Sequence, residues 1–203
     1  MYTSPISLIL GFHGCDKRTG EKVLCGEIPH LSRSENAYDW LGHGIYFWEH
    51  NPERALEFAM EQRDHPRPNK PKIDEPFVVG SVIDPANCLN LLESEALRLV
   101  SRAYGQFCRI SEEANSPLPQ NKSDTRSGEL LQRFLDCAVI ETLHDLRARE
   151  DRTPYDTVRG VFEEGVPLYA NSGFRSKTHV QMCVRNSACI KGYFRLLHPC
   201  TLE

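Results

Sequence analysis

The chain reads as an α+β domain. Three observations lead there. Short apolar runs of strand length stand near both ends, two longer segments of helical periodicity fill the middle, and no internal repeat relates the parts. With 203 residues, one domain spanning 1–203 is expected, large enough to bury a core without metal or disulfide staples.

The elements follow in order. Residues 5–12 (PISLILGF) form a buried strand, being short and β-branched rather than helical. The polar stretch 15–36 holds a short helix around Thr19 to Leu24. Gly42 and Gly44 punctuate the chain before an aromatic strand, Ile45-Tyr46-Phe47-Trp48. Asn51-Pro52-Glu53 starts a helix: asparagine caps, proline suits the first turn and glutamate suits the dipole. The prolines in 63–72 break regular structure. Phe77 to Ile83 is the next strand, stopped by Asp84-Pro85. Helices are expected at 93–106 and 128–149, the second on the spacing of Leu130, Leu131, Phe134, Leu135, Ala138, Val139 and Leu143. The loop between them is rich in Asn, Ser and Pro. Strands close the chain at 158–163, 178–185 and 189–197.

Composition narrows the function classes. Hydrophobic residues make up 40% and charged residues 26%, which excludes disorder as the main state. A net charge of -4 excludes a chain-wide polycation that coats nucleic acid, while leaving room for a local basic patch. No apolar run approaches membrane-spanning length, and Ile6 to Leu10 is too short for a signal-peptide core, so a cytoplasmic protein without membrane partners is expected. The eight cysteines are scattered and form no Cys-x-x-Cys pair, which reads as buried thiols rather than as a zinc or redox site; no metal is expected.

Three islands carry candidate chemistry. In Gly11-Phe12-His13-Gly14-Cys15, an imidazole at a strand end stands beside a backbone that a ligand can approach closely. In Gly42-His43-Gly44-Ile45-Tyr46-Phe47, a tight turn leads into a tyrosine whose flat ring suits a planar, cationic heterocycle. In Thr178 to Val184, strand alternation puts His179, Gln181 and Cys183 on one face and Val180, Met182 and Val184 on the other, which is core. Each island alone also fits an ordinary core strand or solvated face.

Together, in order and spacing, the islands resemble the ADP-ribosyltransferase catalytic domain of the diphtheria-toxin and poly(ADP-ribose) polymerase branch. That branch spreads a His-Tyr-Glu triad over three strands. Its His-Gly-Ser/Thr is here His13-Gly14-Cys15, and its Gly-x-Gly-Ile-Tyr-Phe is Gly42 to Phe47. Its glutamate strand lines up with Gln181-Met182-Cys183-Val184, followed by a final strand at Ile190 to Phe194. The match covers most of the chain except the helical region 93–150, which looks like an insertion or a variant of the fold.

The resemblance implies a split antiparallel sheet and NAD as an ADP-ribose donor. It implies that His13 bonds the adenosine ribose, that the Gly14 backbone reads the nicotinamide carboxamide and that Tyr46 stacks on the nicotinamide ring. Cys15 and Gly44 flank these positions, and Phe58 would cover the ring's other face although it sits one place from the family's second tyrosine. Gln181 departs from the family's glutamate. A carboxylate stabilises the positive charge that develops on the ribose; a glutamine keeps only a carbonyl acceptor. Three consequences are open: transfer to a strongly nucleophilic acceptor, a carboxylate recruited from Glu163 or Glu164, or NAD binding without turnover. The branch includes mono-ADP-ribosyltransferases without the glutamate, so activity is favoured and chain elongation is not expected.

The segment 154–178 would then face the acceptor, with Arg159, Tyr169 and, on the strand edge, His179. Aromatic and cationic groups together suit bases and phosphates, so a macromolecular acceptor is expected, RNA or DNA slightly ahead of protein. A small stand-alone transferase of this kind resembles toxin and phage-defence effectors, for which a neutralising antitoxin is a natural partner. The rival expectations are a silent NAD- or ADP-ribose-binding module and an NAD glycohydrolase.

Overall fold

The computed structural model describes residues 8–66, 71–123 and 128–197. It is a mixed α+β fold: seven strands make one sheet, and four α-helices pack on it. The strands are β1 (Ile9–Asp16), β2 (Ile45–Glu49), β3 (Pro76–Ile83), β4 (Cys88–Asn90), β5 (Thr157–Phe162), β6 (His179–Val184) and β7 (Ile190–Arg195). The helices are α1 (Lys17–Leu24), α2 (Pro52–Asp64), α3 (Ser94–Glu113) and α4 (Phe134–Arg149).

The strand order is β4-β5-β6-β2-β1-β3-β7, antiparallel throughout except for the parallel β4–β5 pair. The pairings are uneven. β1 follows β3 along its whole length, from Ile9↔Ile83 to Asp16↔Pro76. Against β2 it keeps only Gly11↔Glu49 and Phe12↔Trp48. The sheet therefore opens at the β1–β2 seam from His13 onward, between the first and second motifs.

Two layers cover the sheet. On one face Phe47, Ile83, Met182, Val184 and Val23 of α1 form a core. On the other, Leu89, Val158 and Cys183 pack under Ala96 and Ala103 of α3 and Val139, Ile140 and Leu143 of α4. Phe12, Trp48 and Val78 pack with Ala55 of α2. α3 and α4 thus cover one sheet face.

Several sequence expectations shift. Of the strand expected at 5–12, residues 5–7 lie outside the described residues, and β1 runs on to Asp16 because β3 pairs with it that far. His13 is consequently inside a strand rather than at its end. α2 continues through Asp64, into the stretch expected as loop, of which 67–70 lie outside the described residues. α3 runs to Glu113, beyond the expected 106. α4 starts at Phe134, not at 128: Gly128 takes φ +72, and Gln132 bridges to Lys122 in an antiparallel pair, so Leu130 and Leu131 stand outside the helix despite their spacing. The three-residue β4 has no sequence expectation behind it, being too short to show alternation.

Among the described residues, no helix is long and apolar enough to cross a membrane.

Candidate functional site

At the β1–β2 seam lies a cavity of about 420 Å³, within the range of small-ligand sites. His13, Gly14 and Cys15 of β1, Tyr46 and Trp48 of β2, and Gln181 of β6 all line it. Phe58 of α2 and Glu164, just beyond β5, complete that wall, with Trp40 and Arg54.

His13 and Tyr46 are coupled through the backbone. The His13 Nδ1 atom lies 2.7 Å from the Tyr46 carbonyl oxygen. A carbonyl only accepts, so Nδ1 carries the proton and Nε2 is left as an acceptor. Burial lowers the His13 pKa, which keeps the ring neutral.

Gly14 is a glycine for steric reasons. A Cβ there would land on the Ala55 carbonyl, so α2 could not lie against β1. The Gly14 main chain stands where the β1–β2 pairing has already ended. Cys15 also lines the cavity, but burial pushes its thiol up to about 12, so it is no thiolate nucleophile.

Tyr46 is tied at its phenol end. Its hydroxyl donates to the Gly42 carbonyl (2.7 Å) and accepts from the Leu41 N–H (3.0 Å). Burial raises the phenol well above its usual pKa, so it stays protonated. Gly42 supplies the turn, at φ +78. Gly44 does not line the cavity; it permits close approach to β6, since a Cβ would sit 2.6 Å from the Val184 carbonyl oxygen. The Gly-x-Gly motif thus positions the tyrosine.

Gln181 faces Trp48 across the β2–β6 pairing. Its Oε1 accepts from the Trp40 indole Nε1–H at 2.8 Å. Phe58 packs on Trp48, ring centroids 4.9 Å apart.

The two candidate carboxylates separate. Glu163 is exposed, whereas Glu164 is buried and aimed into the cavity. The Arg54 Nη2 atom lies 3.0 Å from both Glu164 oxygens. Burial outweighs this cation and raises the Glu164 pKa. Arg54 itself is buried and reaches Glu57 and Glu61, each at 3.4 Å.

Besides Gly44 and Glu163, three further predicted residues do not line the cavity. Arg159 points to Glu49, held by two bonds of 2.6 and 2.7 Å. His179 is buried beside Phe162 and Trp48, its Nδ1 donating to the Lys177 carbonyl at 2.6 Å, and burial pushes its pKa down to about 4. Tyr169 sits on a projecting hairpin closed by the Leu168 N–H to Phe174 carbonyl bond, at 3.1 Å. There Val166, Leu168, Tyr169 and Phe174 are all more than half exposed.

The sequence reading missed Trp40 and Arg54. An indole in the polar stretch before the Gly-His-Gly turn was the available signal for the first. An arginine directly beside the apolar stripe of α2 was the signal for the second.

Comparison of the chain with protein-family models, with curated proteins and with solved structures finds no match.

Proposed function

We propose that the protein is a mono-ADP-ribosyltransferase that takes NAD as donor, on an ADP-ribosyltransferase-type sheet. The observation that carries this reading is the cavity wall itself. The residues matched by the three sequence motifs, His13, Tyr46 and Gln181, come from three different strands and line one cavity at the opening of the sheet.

The residues fit the donor in chemical terms. His13 Nε2, an acceptor by its tautomer, suits a ribose hydroxyl. The Gly14 main chain, past the end of the β1–β2 pairing, suits a carboxamide, and the Tyr46 ring suits stacking on nicotinamide. In the reaction the bond between ribose C1′ and the nicotinamide nitrogen breaks, with its electron pair leaving on nicotinamide. A lone pair of the acceptor forms the new bond to C1′, and the acceptor's proton goes to a base. Glu164, a carboxylate in the cavity whose pKa burial raises, takes that proton. With glutamine at 181, the acceptor must supply much of the driving force, and elongation to a polymer is not expected.

Nucleic acid is the favoured acceptor class. The projecting hairpin offers Tyr169 and Phe174, 61% and 68% exposed, next to Arg175, a combination that suits stacking on unpaired bases. Such an activity fits a toxin or defence effector held in check by a neutralising partner.

A second reading, a silent NAD-binding module, draws support from Gln181, whose carbonyl oxygen is already engaged by Trp40. NAD labelled in its adenylate phosphate separates the readings. Incubated with the protein and with RNA, DNA or protein pools, it should label one pool, RNA or DNA first, and fail to do so with Tyr46→Ala. Intact NAD bound without any label transfer would support the silent module. NAD loss without any macromolecule would support a glycohydrolase.

A further inference from the structure

The Trp40–Gln181 contact decides which end of the glutamine amide meets the ligand. An indole N–H donates and never accepts, so the amide oxygen must be the atom 2.8 Å from Trp40 Nε1. With the oxygen turned to Trp40, the NH₂ group is the end turned away from it, and because Gln181 lines the cavity, that donor is the end offered to a ligand. The sequence alone suggests the opposite, a carbonyl acceptor standing in for a carboxylate.

The indole is seated from several sides. Gly160, directly opposite Gln181 in the β5–β6 pairing, has no side chain, and a Cβ there would sit 2.8 Å from the Trp40 ring. Phe162, two residues on, meets Trp40 edge-on with centroids 5.0 Å apart. The Arg133 guanidinium lies over both rings, at 5.9 and 5.1 Å. An aromatic ring packed this way has little rotational freedom, so the amide it holds has little too.

We propose that Trp40 is a positioning residue that makes Gln181 a hydrogen-bond donor to an oxygen of the donor substrate, and that this restrains NAD hydrolysis until a strong nucleophile arrives. The proposal rests on the NAD reading above. The chemistry is direct. A donor on a ribose oxygen withdraws electron density from the ring and opposes the positive charge that builds at C1′. A carboxylate in the same place favours that charge. Hydrolysis, in which water adds to C1′ and releases nicotinamide, ADP-ribose and a proton, depends most on that charge because water is a weak nucleophile. A strong nucleophile depends on it less.

The test uses the full chain with ¹⁵N-labelled indoles. The chain has two tryptophans, Trp40 and Trp48, so two indole N–H peaks arise, and Trp40→Phe assigns them. In Gln181→Met, the Trp40 peak should move upfield and exchange with solvent at least tenfold faster, while the Trp48 peak stays. In Gln181→Glu, which keeps an acceptor, the Trp40 peak should stay or move downfield. Acceptor-free nicotinamide release should rise at least tenfold in Gln181→Glu. Trp40→Phe should weaken NAD binding several-fold with Gln181 present and by less than twofold with Met at 181. A residue that acts only by packing would weaken it equally in both backgrounds. An unmoved Trp40 peak in Gln181→Met, or, in a protein that binds NAD, equal losses in both backgrounds or unchanged nicotinamide release in Gln181→Glu, would each overturn the proposal. A Trp40 peak that responds to Gln181→Met in a protein that binds no NAD would uphold the lock and overturn the NAD reading instead.

Discussion

The His13 imidazole donates to the main-chain carbonyl of Tyr46 across 2.7 Å. In an uninterrupted antiparallel pairing that carbonyl would face a backbone N–H of β1. Here a side chain takes it, at the place where the β1–β2 pairing has ended. One bond therefore joins the first two motifs, fixes the His13 tautomer and borders the cavity. His13→Ala should remove the Nε2 acceptor and lower label transfer at least tenfold. His13→Asn, whose short amide can still donate to the Tyr46 carbonyl, should hold the thermal midpoint closer to wild type than alanine does. Label transfer from NAD, measured beside a melting curve, checks both.

Tyr46 separates ring from hydroxyl. Tyr46→Phe keeps the ring but leaves the Gly42 carbonyl and Leu41 N–H without their partner. A loss of about 1–3 kcal/mol in urea unfolding is expected, with NAD affinity within a few-fold of wild type. Tyr46→Ala should abolish NAD binding. Equal NAD affinity in the two variants would contradict stacking on this ring.

Glu164 and Glu163 are adjacent in sequence and opposite in environment. Glu164→Gln takes the charged partner at 3.0 Å from the buried Arg54, which keeps Glu57 and Glu61 at 3.4 Å, and a destabilisation of about 1 kcal/mol is expected. Glu163→Gln should change stability by less than about 0.5 kcal/mol. If Glu164 also takes the acceptor's proton, transfer by Glu164→Gln should lose its dependence on pH in the acid range. An unchanged pH profile would leave Glu164 a structural partner of Arg54 alone.

His13, His144 and His179, all depressed by burial, make stability fall in acid. Burial depresses both His144 and His179 to about 4, from an ordinary value of 6.5. Above 6.5 each is neutral in the folded and unfolded chain, and its contribution to stability is complete. Between 6.5 and 4 only the unfolded chain takes up the proton, so stability falls as pH falls. Each histidine contributes up to about 1.4 kcal/mol per pH unit in that window. Urea midpoints measured from pH 7.5 to 4.5 should show this slope, and His144→Phe should reduce it. A slope unchanged by that substitution would mean His144 titrates normally in the folded chain.

Much of this was legible in the sequence. Gly42, Gly44 and the aromatic run located β2, and alternation in 178–185 separated the core face of Met182 and Val184 from the Gln181 face. What escaped the reading depends on contacts distant in sequence. The start of α4 follows from a bridge between Gln132 and Lys122, not from leucine spacing. The extent of β1 follows from β3, whose Pro76 pairs with Asp16 from far along the chain. Glu164 could be told from Glu163 only once Arg54 stood beside it, and the polarity of Gln181 only once Trp40 did.

Turnover of NAD with an acceptor is the activity proposed for this cavity. The most direct measurement is nicotinamide release from NAD by the full chain, with and without RNA, DNA and protein pools, beside Tyr46→Ala. Release that rises with one pool and vanishes in the variant is the expected result. No release with any pool, or release that Tyr46→Ala leaves intact, would contradict it.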